Sequence, residues 1–335
     1  MSTPAATQVS DLAAAIAKGE RAALAEALNL LDDRRQAARQ KSAALLAHLQ
    51  SEYSDTCSHL IGITGPPGVG KSTLSAALIA VWRKRGLRVG ILAVDPSSPF
   101  SGGALLGDRV RMQTNSEDDG VFVRSLSSRG QFGGLSAEVW PMCIVMLAGF
   151  DIVLIETVGV GQREVDVSRL CDTTCYVAQP GSGDSVQFLK AGILEVPHVL
   201  VVNKKDMGAV AQRTLSELGN ALNVEHPDGQ WQVPVLATSA LNGSGIEALA
   251  DVMAHHHQSL QERKQLARRR RSYQAYWIHK RLEEEFGSFG IDKLGGEKAL
   301  LEQLQSQDMD LFKQYDSLRQ QCCNGEVDKH ESDND

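Results

Sequence analysis

The sequence contains no CxxC pair, no long apolar run and no surplus of basic charge, and each absence removes a class of function. Cys57, Cys143, Cys171, Cys175, Cys322 and Cys323 lack a histidine at ligand spacing. They are expected to be reduced thiols rather than a disulfide framework or a zinc site. No stretch approaches the roughly 18–20 apolar residues that a membrane-spanning helix needs. The segment Met1 to Glu20 also lacks a basic start followed by an apolar core. The expected location is therefore the cytoplasm, with no membrane partner. Lys and Arg number 34 against 41 Asp and Glu, a net charge of −7, so a nucleic-acid partner is not expected. The one dense basic run, Arg268-Arg269-Arg270-Arg271, reads as a solvated or interface face of a helix. His255-His256-His257 cannot share one helix face, because successive residues step by about 100°. They read as a solvated helix end or domain junction, with metal binding the second reading.

Against this background one motif stands complete. Gly65-Pro66-Pro67-Gly68-Val69-Gly70-Lys71-Ser72 lies between the apolar run Leu60 to Thr64 and a helix-like stretch from Thr73 to Arg85. Strand before and helix after are the context a phosphate-binding loop requires. Its glycines let successive backbone N–H groups approach a β-phosphate, Lys71 reaches the β/γ oxygens, and the Ser72 hydroxyl is placed to ligate Mg²⁺. Thr73 opens the following helix and completes the expected contact set.

The base follows from two later segments. Asn203-Lys204-Lys205-Asp206 comes after the strand-like run His198 to Val202, and Thr238-Ser239-Ala240-Leu241 follows another short apolar run. A carboxylate at Asp206 can accept from both N1–H and the exocyclic amine of guanine, whereas adenine offers no such donor pair. Asn203, Lys204, Asp206, Ser239, Ala240 and Leu241 are the expected base-binding residues, and GTP/GDP the expected nucleotide.

Seven strand-like runs, at Leu60–Thr64, Val89–Val94, Val121–Val123, Ile152–Ile155, Thr174–Val177, Val199–Val202 and Val233–Leu236, are mostly separated by helical segments. Near-continuous Val/Ile/Leu strands in that alternation predict an α/β fold. In it, a mainly parallel sheet is covered by helices on both faces, with the ligand at the strands' carboxyl ends. Ser10 to Leu49 carries apolar residues at helical spacing and predicts two amphipathic helices. Gln258 to Glu285 and Glu297 to Gln320 predict two long helices joined around Gly287 to Gly296. The resulting division is an N-terminal helical extension (1–56), a P-loop GTPase domain (57–256), a C-terminal helical arm (257–323) and a disordered acidic tail (324–335).

Asp95 and Glu156 each close an apolar strand on the side where the phosphate loop lies, so both can reach Mg²⁺ directly or through water. Gly159 then has the spacing to offer its N–H to a γ-phosphate. No Gln directly follows Gly159 to position water, which predicts slow intrinsic hydrolysis.

The phosphate loop through Thr73, together with Val94-Asp95-Pro96-Ser97-Ser98-Pro99, resembles the MeaB/ArgK/MMAA family of GTPases. So do Gly102-Gly103 leading to Leu106-Gly107-Asp108-Arg109, and Ile155-Glu156-Thr157-Val158-Gly159-Val160-Gly161-Gln162. The resemblance spans roughly Leu60 to Leu249. It implies a dimerising G domain of the SIMIBI class with an N-terminal helical extension and a C-terminal arm that makes a homodimer. The implied activity is that of a chaperone for an adenosylcobalamin-dependent acyl-CoA mutase, typically methylmalonyl-CoA mutase, gating cofactor loading and protection. The same resemblance adds Asp108 to the Mg²⁺ site beside Ser72, Asp95 and Glu156. It further implies a partner-responsive switch at Gly181 to Lys190, where Gln187 and Lys190 would stabilise charge on the γ-phosphate.

Several positions depart from the family pattern: Lys190-Ala191 in place of a basic pair, Asp184-Ser185 in place of an acidic partner-responsive loop, Arg163-Glu164 in place of Ser-Glu after the Gln, and Ser101 for the usual Thr. None replaces an expected phosphate, metal or base contact. They leave the partner open to another acyl-CoA mutase, such as one acting on isobutyryl-CoA or ethylmalonyl-CoA. Two alternatives stand beside this reading: a nickel-insertion GTPase, for which a His-rich tail or thiolate pair would be expected, and a small-molecule or amino-acid kinase.

Overall fold

The computed structural model of the chain describes residues 4–33, 35–53, 57–95, 118–127, 139–157, 167–181, 197–221, 231–306 and 310–324. Seven strands form one sheet in the order β3-β2-β4-β1-β5-β6-β7. They are β1 (His59–Thr64), β2 (Val89–Asp95), β3 (Val121–Ser127), β4 (Ile152–Thr157), β5 (Thr173–Ala178), β6 (Val199–Val202) and β7 (Val235–Ala237). Every pairing is parallel. β1, β5 and β6 are buried on both faces throughout, because helices cover the sheet front and back, while the edge strands β3 and β7 are largely half-buried. All seven expected strands are present.

Alternation along each strand sorts the core into two layers. Ile61, Ile63, Ile91, Leu154, Val177 and Val201 face α4 (Lys71–Lys84) and α7 (Ile246–Glu262). α4 presents Leu74, Leu78, Ile79 and Trp82 at helical spacing, and α7 presents Leu249, Ala250 and Met253. On the other face Leu60, Leu92, Val153 and Ile155 meet α5 (Val139–Gly149), which is buried all round. An evenly apolar helix has no solvent side to satisfy, and α5 reads VWPMCIVMLAG. α6 (Ala209–Ala221) covers β6 and β7. Gly62 of β1 allows this layering. A Cβ there would lie 2.3 Å from Val167 Cγ1 and 2.7 Å from Cys171 Sγ.

The ends of the chain differ from the expected helix boundaries. Where two N-terminal helices were expected there are three: α1 (Pro4–Ala17), α2 (Arg21–Asp32) and α3 (Gln36–Tyr53). The break falls at Gly19, whose φ of +77° ends α1 in the left-handed region. At the other end α7 continues to Glu262, and α8 (Leu266–Lys293) runs past Glu285 through a kink at Gly287 (φ +65°, ψ −168°). α9 (Gly296–Ser306) and α10 (Leu311–Asn324) follow in place of one long helix. Ile16, Leu24, Leu28, Leu45, Leu46 and Leu49 from α1–α3 share a single apolar cluster with α5. Tyr273, Trp277 and Leu282 of α8, Leu300 of α9 and Leu311 of α10 belong to that same cluster. Among the described residues no helix is long and apolar enough to cross a membrane.

Candidate nucleotide site

The phosphate loop joins the carboxyl end of central β1 to α4, between β4 and β5. Its path depends on glycine. Gly65 has φ +141° and a Cβ there would sit 2.3 Å from Val177 O; Gly70 has φ +91° and its Cβ would approach Asn203 Nδ2 to 2.7 Å. Gly68, at φ +77°, faces open space. A backbone concavity that only glycine can line, opening to solvent at Gly68, fits a phosphate group. Lys71 is buried in the first turn of α4, and its Nζ donates to Gly65 O (2.7 Å) and Pro66 O (2.9 Å), which holds the ammonium inside the loop. Thr73 is exposed on the same turn.

Ser72 Oγ donates to Glu156 Oε1 at 2.5 Å, and Glu156 is 4% exposed. The two residues come from adjacent elements, because Ile63 of β1 pairs in register with Glu156 of β4. A hydroxyl and a buried carboxylate converging beside a phosphate loop form the hard-oxygen donor set that suits Mg²⁺. Asp95 ends β2, in register with Ser127 of β3. Its side chain, and Asp108, Gly159, Gln187 and Lys190, lie outside the described residues.

The loops expected to hold the base are braced to the phosphate loop by two side chains. Asn203 donates from Nδ2 to Val69 O (2.9 Å) while its Oδ1 accepts from Thr238 Oγ1 (3.2 Å) and Ala240 N (3.3 Å). Lys204 adopts the left-handed region (φ 59°, ψ 43°), which turns its Nζ onto Gly68 O at 2.8 Å. Its stem therefore spans from its own loop to the phosphate loop. Asp206 Oδ1 accepts from the Ser239 hydroxyl at 2.5 Å. That bond, Asp206's own backbone N–H and the nearby Lys204 charge hold the exposed carboxyl below its usual value. It is thus an ionised, acceptor-only group at neutral pH. Leu241 is 84% exposed at the tip of the second loop. The structure brings together Gly65 to Ser72, Glu156, Asn203, Lys204, Asp206, Ser239 and Ala240, as the motifs require.

The run expected to be a solvated or interface helix face and the histidines expected at a solvated helix end or domain junction meet at the opposite end of the sheet, where the solvated reading fails for His256, His257 and Arg270. His256 and His257 are buried on the face of α7 that carries Met253 and Leu260, while His255 is exposed. His257 stacks on His59 at 4.2 Å between ring centroids, and His256 lies 4.3 Å from His198. The Thr173 hydroxyl sits between His59 Nε2 (2.6 Å) and His256 Nδ1 (2.8 Å). With one proton to give, it donates to one ring and accepts from the other, which suits neutral imidazoles. Burial, then the neighbouring charges of His257, His256 and Arg270, pushes His59 well below its usual value. His257 is also lowered, chiefly by burial. Among the described residues no group of His, Cys, Asp or Glu converges as a metal site. Arg270 turns inward to Asp172 Oδ2 (2.8 Å) and Ser58 O (2.6 Å), and Arg269 Nη1 lies 2.6 Å from His198 Nε2. Only Arg268 and Arg271 of the run are exposed. The signal for this burial was present: Met253, His256, His257 and Leu260 follow a helical i, i+3, i+4, i+7 pattern.

The chain is similar to several known proteins. The model of the family "Methylmalonyl Co-A mutase-associated GTPase MeaB" matches residues 24–289. PH0274 of Pyrococcus horikoshii, named as a GTPase, is 41% identical over 281 residues, covering 83% of this chain and 84% of that protein. GTPase ArgK of Escherichia coli is 34% identical over 274 residues, covering 80% and 82%. The mitochondrial methylmalonic aciduria type A homolog of Caenorhabditis briggsae is 35% identical over 280 residues, covering 80% and 68%. A crystal structure of LAO/AO transport system kinase superposes with a TM-score of 0.68 at 25% identity, covering 96% of this chain and 99% of that one. A complete phosphate loop, its Ser72–Glu156 pair and a guanine-type carboxylate within a match of this length have one reading: the chain belongs to the MeaB family of GTPases.

Proposed function

We propose that the protein hydrolyses GTP to GDP and phosphate, slowly alone and faster with a partner, and so gates cofactor loading or protection in an adenosylcobalamin-dependent acyl-CoA mutase. The observation that carries the nucleotide part is the ionised Asp206, held by Ser239 and braced through Asn203 to the phosphate loop. The mutase part rests on the family description, which names methylmalonyl-CoA mutase, and on the name of the nematode relative. In this reading residues 1–56 are an N-terminal extension to the GTPase domain (57–256), and the arm 257–323 joins two copies into a homodimer.

The chemistry asked of the chain is mostly positioning. Water attacks the γ-phosphorus in line, the bond to the β–γ bridging oxygen breaks, and GDP leaves with the electron pair. Lys71, already held at the loop, transfers its ammonium from two carbonyls to the β/γ oxygens. Mg²⁺, held by Ser72 and Glu156 with Asp95 and Asp108, would neutralise charge on the β- and γ-phosphates. Gly159 supplies an N–H to the γ-phosphate, and Gln187 and Lys190 stabilise its developing charge when the partner docks.

Phosphate release from GTP and from ATP, with and without an adenosylcobalamin mutase from the same source, tests both parts. GTP should be strongly preferred, its turnover should rise with mutase, and Lys190→Ala should abolish the rise while retaining nucleotide binding. Equal turnover of ATP would remove the guanine assignment. Intrinsic hydrolysis already as fast as the mutase-stimulated rate would remove the gating role.

A further inference from the structure

The first turns of α8 and the end of α9 enclose a cleft of about 640 Å³ whose wall carries Arg268, Arg269 and Arg271 with Ser272, and Glu302 opposite. We propose that this cleft is a second ligand site, for a small phosphorylated organic anion of nucleotide size that also carries hydroxyl groups.

The cleft is separate from the GTP site. Its arginine run is anchored at the amino ends of the strands: Arg270 on Asp172 before β5 and Ser58 before β1, Arg269 on His198 before β6. The phosphate and base loops leave the carboxyl ends of β1 and β6. A six-residue strand lies between them, roughly 20 Å at about 3.3 Å per residue.

Charge identifies the ligand. The whole chain is acidic at −7, yet this wall holds three guanidiniums against one carboxylate. Among the described residues Arg268 and Arg271 enter no salt bridge. Guanidiniums on neighbouring turns present planar forks of N–H donors that match phosphate oxygens pairwise. Anchoring of Arg269 and Arg270 into the sheet end fixes the helix face, so Arg268 and Arg271 project from a rigid base. The volume falls within the range of roughly 300–1,000 Å³ typical of small-molecule sites. Glu302 would repel a bare polyanion, but it accepts a hydrogen bond from a hydroxyl, as do Ser272 and Gln305. A phosphate group against the arginines with a sugar hydroxyl against Glu302 satisfies both walls.

The test uses the full chain saturated with GDP, so that the phosphate loop is filled, titrated with adenosine 3′,5′-bisphosphate and with inorganic pyrophosphate by calorimetry. The bisphosphate should bind one to one and weaken as salt rises. Arg268→Ala with Arg271→Ala should weaken it about tenfold or more while GDP affinity is unchanged. Glu302→Gln should tighten pyrophosphate and narrow the preference for the bisphosphate. No saturable binding of either anion, or binding indifferent to the arginine substitutions, would overturn the proposal. So would an arginine double variant that weakens only association with a protein partner, which would give the arginines to a docking surface instead.

Discussion

Replacing Asp172 by Ala should be among the most damaging single changes outside the nucleotide site. Its carboxylate is 0% exposed and accepts from Leu60 N (2.9 Å), Arg270 Nη2 (2.8 Å) and Arg270 Nε (3.3 Å), while the Arg270 side chain is 15% exposed. Coulomb attraction alone does not make such a pair stabilising, because both ions have left water. The asymmetry lies in breaking it. Asp172→Ala leaves a buried guanidinium with the Ser58 carbonyl as its remaining acceptor among the described residues, and a strand N–H without an acceptor, a loss of about 3–5 kcal/mol. Asp172→Asn keeps the shape and one acceptor oxygen and should cost less. Asp172→Ala combined with Arg270→Met removes the stranded charge, and its cost should fall short of the two single costs by about 0.5–3 kcal/mol. Urea unfolding of the four variants measures this. GTP affinity of the folded fraction should be unaffected, since the pair lies at the far end of the sheet. A loss below about 1 kcal/mol for Asp172→Ala would refute the reasoning, for it would mean that water reaches the pair and the charge is never stranded.

Other expectations are as direct. Asp206→Asn keeps one acceptor oxygen and replaces the other with an amide donor facing a guanine donor, at a cost of about 1.5–3 kcal/mol for the charged bond lost; GTP should weaken and xanthosine triphosphate gain, and fluorescent-nucleotide titration showing unchanged GTP affinity would contradict the base assignment. His59 is neutral when folded because its pKa is depressed, so the unfolded chain binds the extra proton first. Its contribution is complete above the unfolded value near 6.5 and is lost as pH falls below it, by up to about 1.4 kcal/mol per pH unit for each such histidine. A thermal midpoint flat between pH 7 and 5, or one restored by acid, would oppose this; His59→Gln should flatten the profile. Gly62→Ala drives a methyl into Val167 and Cys171 and should cost about 1–3 kcal/mol, read by the same urea midpoint.

Much of the nucleotide site was legible in the sequence because its parts are local. Gly65 to Ser72 is one loop, Asn203 to Asp206 another, and each motif fixes its own strand–loop–helix context. The strands were legible because a sheet covered on both faces needs nearly unbroken Val, Ile and Leu. Arg270 and His256 were not, and the reason is distance along the chain. Arg270 meets Asp172 98 residues away, and His256 meets Thr173 83 residues away. A four-arginine run looks polar to any local measure, and only the partner decides which member turns inward; the histidines carried a helical burial signal with Met253 and Leu260, but nothing local named Thr173 as their partner. The missing helix break at Gly19 has a different cause: a glycine that ends one helix and a residue that begins the next are separated by a single position, so the apolar spacing appears continuous.

The one apolar cluster that α1–α3 share with α5 and α8–α10 limits how the molecule can be taken apart. A fragment excised at 57 and 256 would keep every phosphate and base contact, yet it would bare α5 to water on the side where Ile16, Leu24, Leu28, Leu45, Leu46 and Leu49 now sit. Each of those side chains withdraws about 1.5–3 kcal/mol of favourable burial when it is lost. The cut at 256 would also sever α7 within its length, between His256 and His257. The nucleotide-binding unit of this chain is therefore not a portable module: its two flanking helical segments serve it as a hull, and an enzyme trimmed to its motifs should be recovered as aggregate rather than as a minimal GTPase.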